Sequence, residues 1–433
     1  MMGKYTLTVF LLIWGLGMAA AAENDPLSLE AAIEEALAHQ SSIQAAMELE
    51  KAAQAGQNAA AADLFPKLSA SYAYSRLQDI PYAVFGGNHV QTGKQDRYAW
   101  QVAATQPLFT GFALSTQKQI AILDVDLRKL QTEQAMLDVA HQTRLAWYGL
   151  ALAEKALGVA REEVDQLNAH VQDAQRFYDQ GAISYNDLLK ARVGLAHARQ
   201  GLVQAGAERR TAAAYLNTVL RRPILQEIQV TRVGEESLSA AEMGAFLDRA
   251  FVQRPELRAM QVSFEKAGLA VQGAKAGYYP ELYMIGAYDR MGDNVGADHN
   301  DFGNDSNVSL SLQARWTIFE WGKTRSEVRK ALYERTAIER QWQGVRDSVA
   351  MEVVEAYEKM IAAIENVQTS RTARIEAVEN FRITNLRFQQ GAATSTDVLD
   401  ARAYLSRAEL DDDRALMGMF VADADLKRAV GEK

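Results

Sequence analysis

The sequence predicts a mainly α-helical chain that also carries four strands of membrane-spanning length, laid down as two copies of one plan. Three observations predict it. The phrase "QGAISYNDLLKAR" (Gln180 to Arg192) returns as "QGAATSTDVLDAR" (Gln390 to Arg402), an offset of 210 residues (390 less 180). None of the seven prolines lies between Pro107 and Pro223 or after Pro280, and those stretches are rich in Ala, Leu, Gln, Glu, Lys and Arg, all good helix formers. Four short segments switch instead to strict apolar and polar alternation, the period of a strand with one apolar face.

The chain opens "MMGKYTLTVFLLIWGLGMAAAAENDP", in which Lys4 precedes an apolar run and Ala20 and Ala22 precede Glu23. This is the layout of a signal peptide over 1–22, too short for a spanning helix. With no cysteine there is no disulfide scaffold and no site for an N-terminal lipid. The formal net charge of −9 becomes −10 once Lys4 is removed, which argues against nucleic acid as a partner. Elsewhere no run of 18 apolar residues exists, so any membrane must be crossed by strands.

The first repeat, 23–220, carries strands at about 66–76 and 98–109, a long helix at about 112–179 and a shorter one at about 184–220. Leu68, Ala70, Tyr72 and Tyr74 alternate with Ser69, Ser71 and Ser75, while Tyr98, Trp100 and Val102 alternate with Gln101, Ala103 and Thr105. Leu123, Leu127, Leu130 and Leu137, then Val164, Leu167, Val171 and Ala174, have coiled-coil spacing. Such a helix spans roughly 100 Å at about 1.5 Å per residue. A linking segment follows at about 221–250.

The second repeat, 251–433, has strands at about 280–290 and 307–319, a long helix at about 323–389 and a shorter one at about 394–430. "FPKLSASYAY" answers "YPELYMIGAY" at an offset of 214 (280 less 66), so four residues are lost from the loop between the strands of the second copy. Val308, Leu310, Leu312, Ala314, Trp316 and Ile318 share one face; 280–290 is the least regular of the four. The lengths suit transmembrane strands, with terminal Tyr and Trp at the lipid interface, although a soluble sandwich alternates similarly. Four strands cannot close a barrel, and an open edge in hydrocarbon leaves backbone groups unsatisfied, so several chains must pool their strands.

The order helix, strand, strand, long helix, short helix is given twice. Together with "LSLEAAIEEALAHQ", "FPKLSASYAY", "QPLFTGF" and "QGAATSTDVLDAR", it resembles the TolC-type outer-membrane efflux factor family from about Pro26 onward. The resemblance implies a homotrimer, with a twelve-stranded barrel in the outer membrane of a Gram-negative bacterium and a twelve-helix tube in the periplasm. It implies the exit duct of a tripartite efflux or type I secretion system, passively conducting drugs, toxic ions or polypeptides. The implied partners are a periplasmic adaptor (membrane fusion) protein, an inner-membrane transporter and outer-membrane lipid. It makes the tips carrying Gly181 and Gly391 the periplasmic entrance and adaptor contact, and 221–250 a belt around the tube. The alternative reading is an exported periplasmic coiled-coil scaffold without a pore.

Ser184 with Asp187, and Thr394 with Asp397, read as capping boxes at helix starts, where a carboxylate also complements the helix dipole. Asp400 lies one turn further in, where the first copy has Lys190. Asp187 and Lys190 can pair at i,i+3, but Asp397 and Asp400 can only repel. The resemblance maps two acidic rings of the closed entrance onto Asp397 and Asp400, which should attract cations and raise one another's pKa. Members with a closed gate have Tyr three residues before the tip Gly and Arg two after it. Here those positions are Phe388 and Ala393, which donate no side-chain hydrogen bond. Asp187 matches an acceptor in that linkage but lacks its expected partners, and Arg387 is a candidate substitute latch.

No enzyme is expected, nor any cofactor or metal. Gly322-Lys323-Thr324 has Thr317 where a phosphate loop needs glycine, and the six histidines lack metal-ligand spacing. The acidic stretch "MGDNVGADHNDFGNDS" reads as a flexible extracellular loop, with calcium binding as the alternative.

Overall fold

A computed structural model describes residues 26–234 and 242–433. The signal segment expected at 1–22 lies outside them, as does the middle of the expected 221–250 belt. The elements run α1 (Leu29–His39), α2 (Ser41–Ala62), β1 (Lys67–Arg76), β2 (Tyr82–Phe85), β3 (Asn88–Gln91), β4 (Asp96–Thr110), α3 (Ala113–Asp179) and α4 (Tyr185–Leu220). Then follow α5 (Met243–Gln253), α6 (Pro255–Ala274), β5 (Glu281–Gly292), β6 (Ser306–Arg315), α7 (Lys323–Gln389) and α8 (Ser395–Val430). The two long helices, α3 and α7, each run 67 residues. No described helix is long and apolar enough to cross a membrane.

The chain forms two compact units. Of the described residues, the tip unit gathers 26–35, 146–234 and 376–413, and the sheet unit gathers 36–145, 242–375 and 414–433.

In the sheet unit, four antiparallel strands stand in the order β1-β4-β5-β6, so the two hairpins, one from each repeat, join through β4 and β5. Directly opposed residues share a face, and the register assembles one apolar face across all four strands. Ala70 pairs with Val102, Val102 with Tyr288, and Tyr288 with Val308; one step along, Ala104 pairs with Gly286 and Gly286 with Leu310. Leu68, Tyr72, Val308, Leu310 and Leu312 on this face are exposed. The opposite face is polar, with Gln101 donating to Asp289 Oδ1 at 2.5 Å. Pro107, which cannot donate to a ladder, sits where the β4–β5 register shifts between Pro107 and Phe109.

Two details differ from the sequence expectation. The strand expected at 307–319 stops at Arg315, because its partner β5 begins at Glu281, after Pro280 and a 3-10 turn at Lys275–Tyr278. Trp316 to Phe319 therefore have no ladder to join. The first-repeat loop, in which no element was expected, holds the hairpin β2–β3, turned at Gly86 and Gly87, both at positive φ; paired glycines there allow the tight turn.

Each long helix starts from two successive left-handed residues, Gly111-Phe112 and Trp321-Gly322. Glycine is required at 111, since a Cβ there would lie 2.5 Å from the Ala276 carbonyl oxygen. The sheet unit's core packs Leu257, Val349, Val353, Met360 and Leu426. Beside it the buried Arg254 donates to the last carbonyls of α8, Arg428 at 3.1 Å and Ala429 at 3.2 Å, and to Glu352 at 2.7 Å. It thereby satisfies groups a helix end leaves unpaired.

In the tip unit, Phe388, Leu188, Val398, Ala174 and Ala191 form a buried cluster against Val171, Phe177 and Phe381. The helices come close enough that a Cβ on Gly194 would meet Leu399 Cδ2 at 2.5 Å. The described part of the belt is anchored by a parallel bridge from Leu27 to Val230, and by buried Asn217, which donates to the Ile224 and Gln226 carbonyls at 3.2 and 2.7 Å.

Candidate functional site

The candidate site is the pair of helix tips, α3 to α4 in the first repeat and α7 to α8 in the second. Both turn the same way. Gly181 at φ 73° and Gly391 at φ 75° take the left-handed position that ends a helix. In each, the next amide reaches back to close the last turn: Ala182 N–H to Phe177 O, and Ala392 N–H to Arg387 O, both at 2.8 Å. No atom lies within 4 Å of a Cβ on either glycine, so backbone conformation alone demands the residue.

Both caps form, and the second closes the full reciprocal box. The Asp187 amide donates to Ser184 Oγ at 3.2 Å, and Ser184 Oγ donates to Asp187 Oδ2 at 2.7 Å. In the second tip the Asp397 amide donates to Thr394 Oγ1 at 3.2 Å. Asp397 Oδ2 in turn accepts from the Thr394 amide at 2.7 Å and its hydroxyl at 2.8 Å. These bonds from Thr394, with the Arg387 charge as a smaller contribution, hold the Asp397 carboxyl below its ordinary value. Within one chain, then, Asp397 is governed by two donors fixed on its own turn. Asp400 is exposed one turn further along α8.

Three other residues singled out in the sequence have defined contacts within the chain. Lys190 does not turn to Asp187 but donates to Thr396 Oγ1 at 3.0 Å, crossing from the first tip to the second. Arg387 bonds the Ala392 carbonyl of its own turn at 3.2 Å. Phe388, considered for its missing hydroxyl at the gate, is 1% exposed, with its ring 4.6 Å from the His170 ring and 5.6 Å from that of Phe177. A phenol buried there would need a partner; a phenyl does not.

Sequence reasoning missed His170, Ser395 and Arg402. His170 Nε2 lies 2.7 Å from Ser395 Oγ, and both residues are buried. Arg402 is 0% exposed, with Nη1 3.4 Å from Glu409 Oε2 and its guanidinium carbon 5.9 Å from the Phe381 ring centre. The only local signal was the match of Arg402 to Arg192, which lies exposed on α4 and donates to Gln175 at 2.7 Å.

A second cluster gathers in the loops between strands. Asp293, His299 and Asp301 offer ligand atoms within 4.8 Å of one another, the arrangement a divalent cation would use. The Lys94 ammonium, however, contacts Asp293 and sits 2.9 Å from Asp301. Its hydrogen bond is the main reason the Asp301 carboxyl is held low. The cluster thus carries its own counter-ion and ties the first-repeat loop to the second-repeat loop.

Residues 32–220 and 246–432 match the family model for outer membrane efflux protein. The alkaline protease secretion protein AprF of Pseudomonas aeruginosa is 24% identical over 434 residues, which cover 96% of this chain and 83% of AprF. Outer membrane protein TolC of Vibrio cholerae is 24% identical over 194 residues, 43% of each chain. Among solved structures, the Campylobacter jejuni CmeC outer membrane channel aligns with a TM-score of 0.79 at 15% identity, covering 93% of this chain and 85% of CmeC.

Proposed function

Because this chain belongs to the outer membrane efflux protein family, we propose that three copies form the outer-membrane exit duct of a tripartite efflux or type I secretion system. The observation that carries this reading is the four-stranded sheet. Its outermost strands, β1 and β6, have no further partner in the sheet, and one face exposes Leu68 and Tyr72 of β1 and Val308, Leu310 and Leu312 of β6. Such edges are tolerated in hydrocarbon only if paired. Three copies joined β6 to β1 make a closed twelve-stranded barrel, with the apolar face toward lipid and the Gln101–Asp289 face toward the lumen. The long helices then extend into the periplasm, with the tips at Gly181 and Gly391 facing an adaptor and an inner-membrane transporter. Specificity for cargo rests with that transporter; the likeness to a protease secretion protein favours polypeptides among the cargoes.

In this arrangement Asp397 and Asp400 of three chains ring the entrance and favour cations. Planar-bilayer recording tests it. Wild-type protein is expected to give small cation-selective pores, and Asp400→Ala to weaken the selectivity. Unchanged selectivity returns Asp400 to an ordinary helix face. Well-folded protein that gives neither pores nor heat-resistant membrane trimers overturns the duct in favour of a periplasmic scaffold.

A further inference from the structure

The tips of the two repeats meet at a contact that the duct reading does not use. His170, on α3, is 4% exposed, and Ser395, at the start of α8, is fully buried. Their bond, His170 Nε2 to Ser395 Oγ at 2.7 Å, joins the first repeat to the second, with the Phe388 ring of α7 against the imidazole. The other ring nitrogen, Nδ1, is buried with no hydrogen-bond partner, as is Gln166 Oε1. Both side chains line a cavity of about 160 Å³, closed from the α7 side by Phe381, Asn385 and Gln389.

Resting on the duct reading, we propose that the His170–Ser395 bond, backed by Phe388, is a proton-released latch that holds the α7–α8 tip against the α3–α4 tip. A neutral imidazole suits this site, since one nitrogen shares a hydrogen with the serine and the other is left bare. A second proton puts a full charge on a buried ring packed against Phe388, in a cavity lined by Leu167, Ala169, Phe381 and Val398.

The charged groups around the ring do little to offset that. On α3, Asp173 is the nearest acid, and it is already paired with Arg176. On α4, Lys190 is bonded to Thr396 and Arg192 to Gln175. On α8, Arg402 beyond Phe381 is paired with Glu409. The α7 side of the cavity is uncharged. Burial accordingly holds the imidazole below the ordinary histidine value of 6.5, and Asp173 opposes this only in part.

The sign follows from linkage. The separated tip, with a solvated histidine, binds the proton more tightly than the latched one. Latching is therefore fully favoured above that ordinary value and is lost as pH falls below it.

The chain has no native cysteine, so spin labels at Gln180→Cys and Gln390→Cys, exposed positions on the two tips, report their separation in the full-length oligomer. Electron–electron distances would be read from about pH 8 to about pH 5, alongside bilayer conductance. The wild type is expected to show a several-fold rise in the long-distance population on acidification, absent from both His170→Gln and His170→Phe. Two substitutions guard against one failing to fold. An acid response that survives both replacements overturns the latch while leaving a conducting duct intact. A His170-dependent distance change in protein that gives no pores keeps the latch and rejects the duct.

Discussion

The two tips share a phrase and a backbone, yet they dispose of their side chains in opposite ways. Tyr178, Tyr185 and Arg192 of the first tip lie exposed, with the two tyrosine rings 5.4 Å apart. Their counterparts in the second tip, Phe388, Ser395 and Arg402, are essentially fully buried. The chain direction, the glycine turn and the cap are common to both. What differs is which face of the hairpin meets the other repeat. Duplication copied the local instructions, and later divergence fitted each copy to its surroundings: a ring without a hydroxyl, a small hydroxyl facing a histidine, an arginine enclosed rather than solvated.

Substitution in matched pairs would break this contrast if it were superficial. The largest difference is expected for Phe388→Ala against Tyr178→Ala. Emptying the buried position should cost about 3–5 kcal/mol, and the exposed one well under that, within about 1 kcal/mol; urea unfolding of the two variants measures both. Similar losses would mean that the tip cores are equivalent after all. Next comes Ser395→Ala, which strands His170 Nε2 and should cost about 1–3 kcal/mol, while Tyr185→Ala should be nearly neutral. Thermal midpoints compared above pH 7 check this pair, since His170 is neutral there.

Two further tests sharpen the comparison by asking where the tips should behave alike. Gly181→Ala and Gly391→Ala should each cost about 1–2 kcal/mol, and by equal amounts, because both positions are left-handed with open space around them. Unequal losses would show that the turns are not interchangeable. The smallest effect concerns the second cap. Because Asp397 is held below its ordinary value, its contribution is present above the unfolded carboxyl range and fades as pH falls through the folded one. Thr394→Ala should remove that acid sensitivity, read by following helix content through the acid range. An unchanged acid profile would assign the sensitivity to other carboxylates.

Much of the fold was legible because its causes are local. Proline placement and residue propensity mark out the 67-residue helices, glycine marks their ends, and Ser or Thr three residues before Asp marks where the next helix begins. Period-two alternation marks strands wherever one face is consistently apolar. It blurred in β5, where Gly286 and Met284 carry little of the pattern; only pairing with β4 and β6 shows which of its residues belong to the apolar face. The site was less legible still. His170 stands in a polar stretch of a long helix, and nothing within a few residues announces that Ser395 will be its partner.

By itself, then, the sequence determined the duplication, the helices and their caps, and the presence of strands too few to close on themselves, since each depends on hydrogen bonds and steric limits within a turn or two of chain. The tertiary structure alone decided that Phe388 is buried in the tip core, that Lys190 reaches Thr396 rather than Asp187, and that Lys94 fills the acidic loop cluster. Burial and pairing across some two hundred residues depend on which surfaces meet, and a repeated phrase cannot say which of its two copies will face inward.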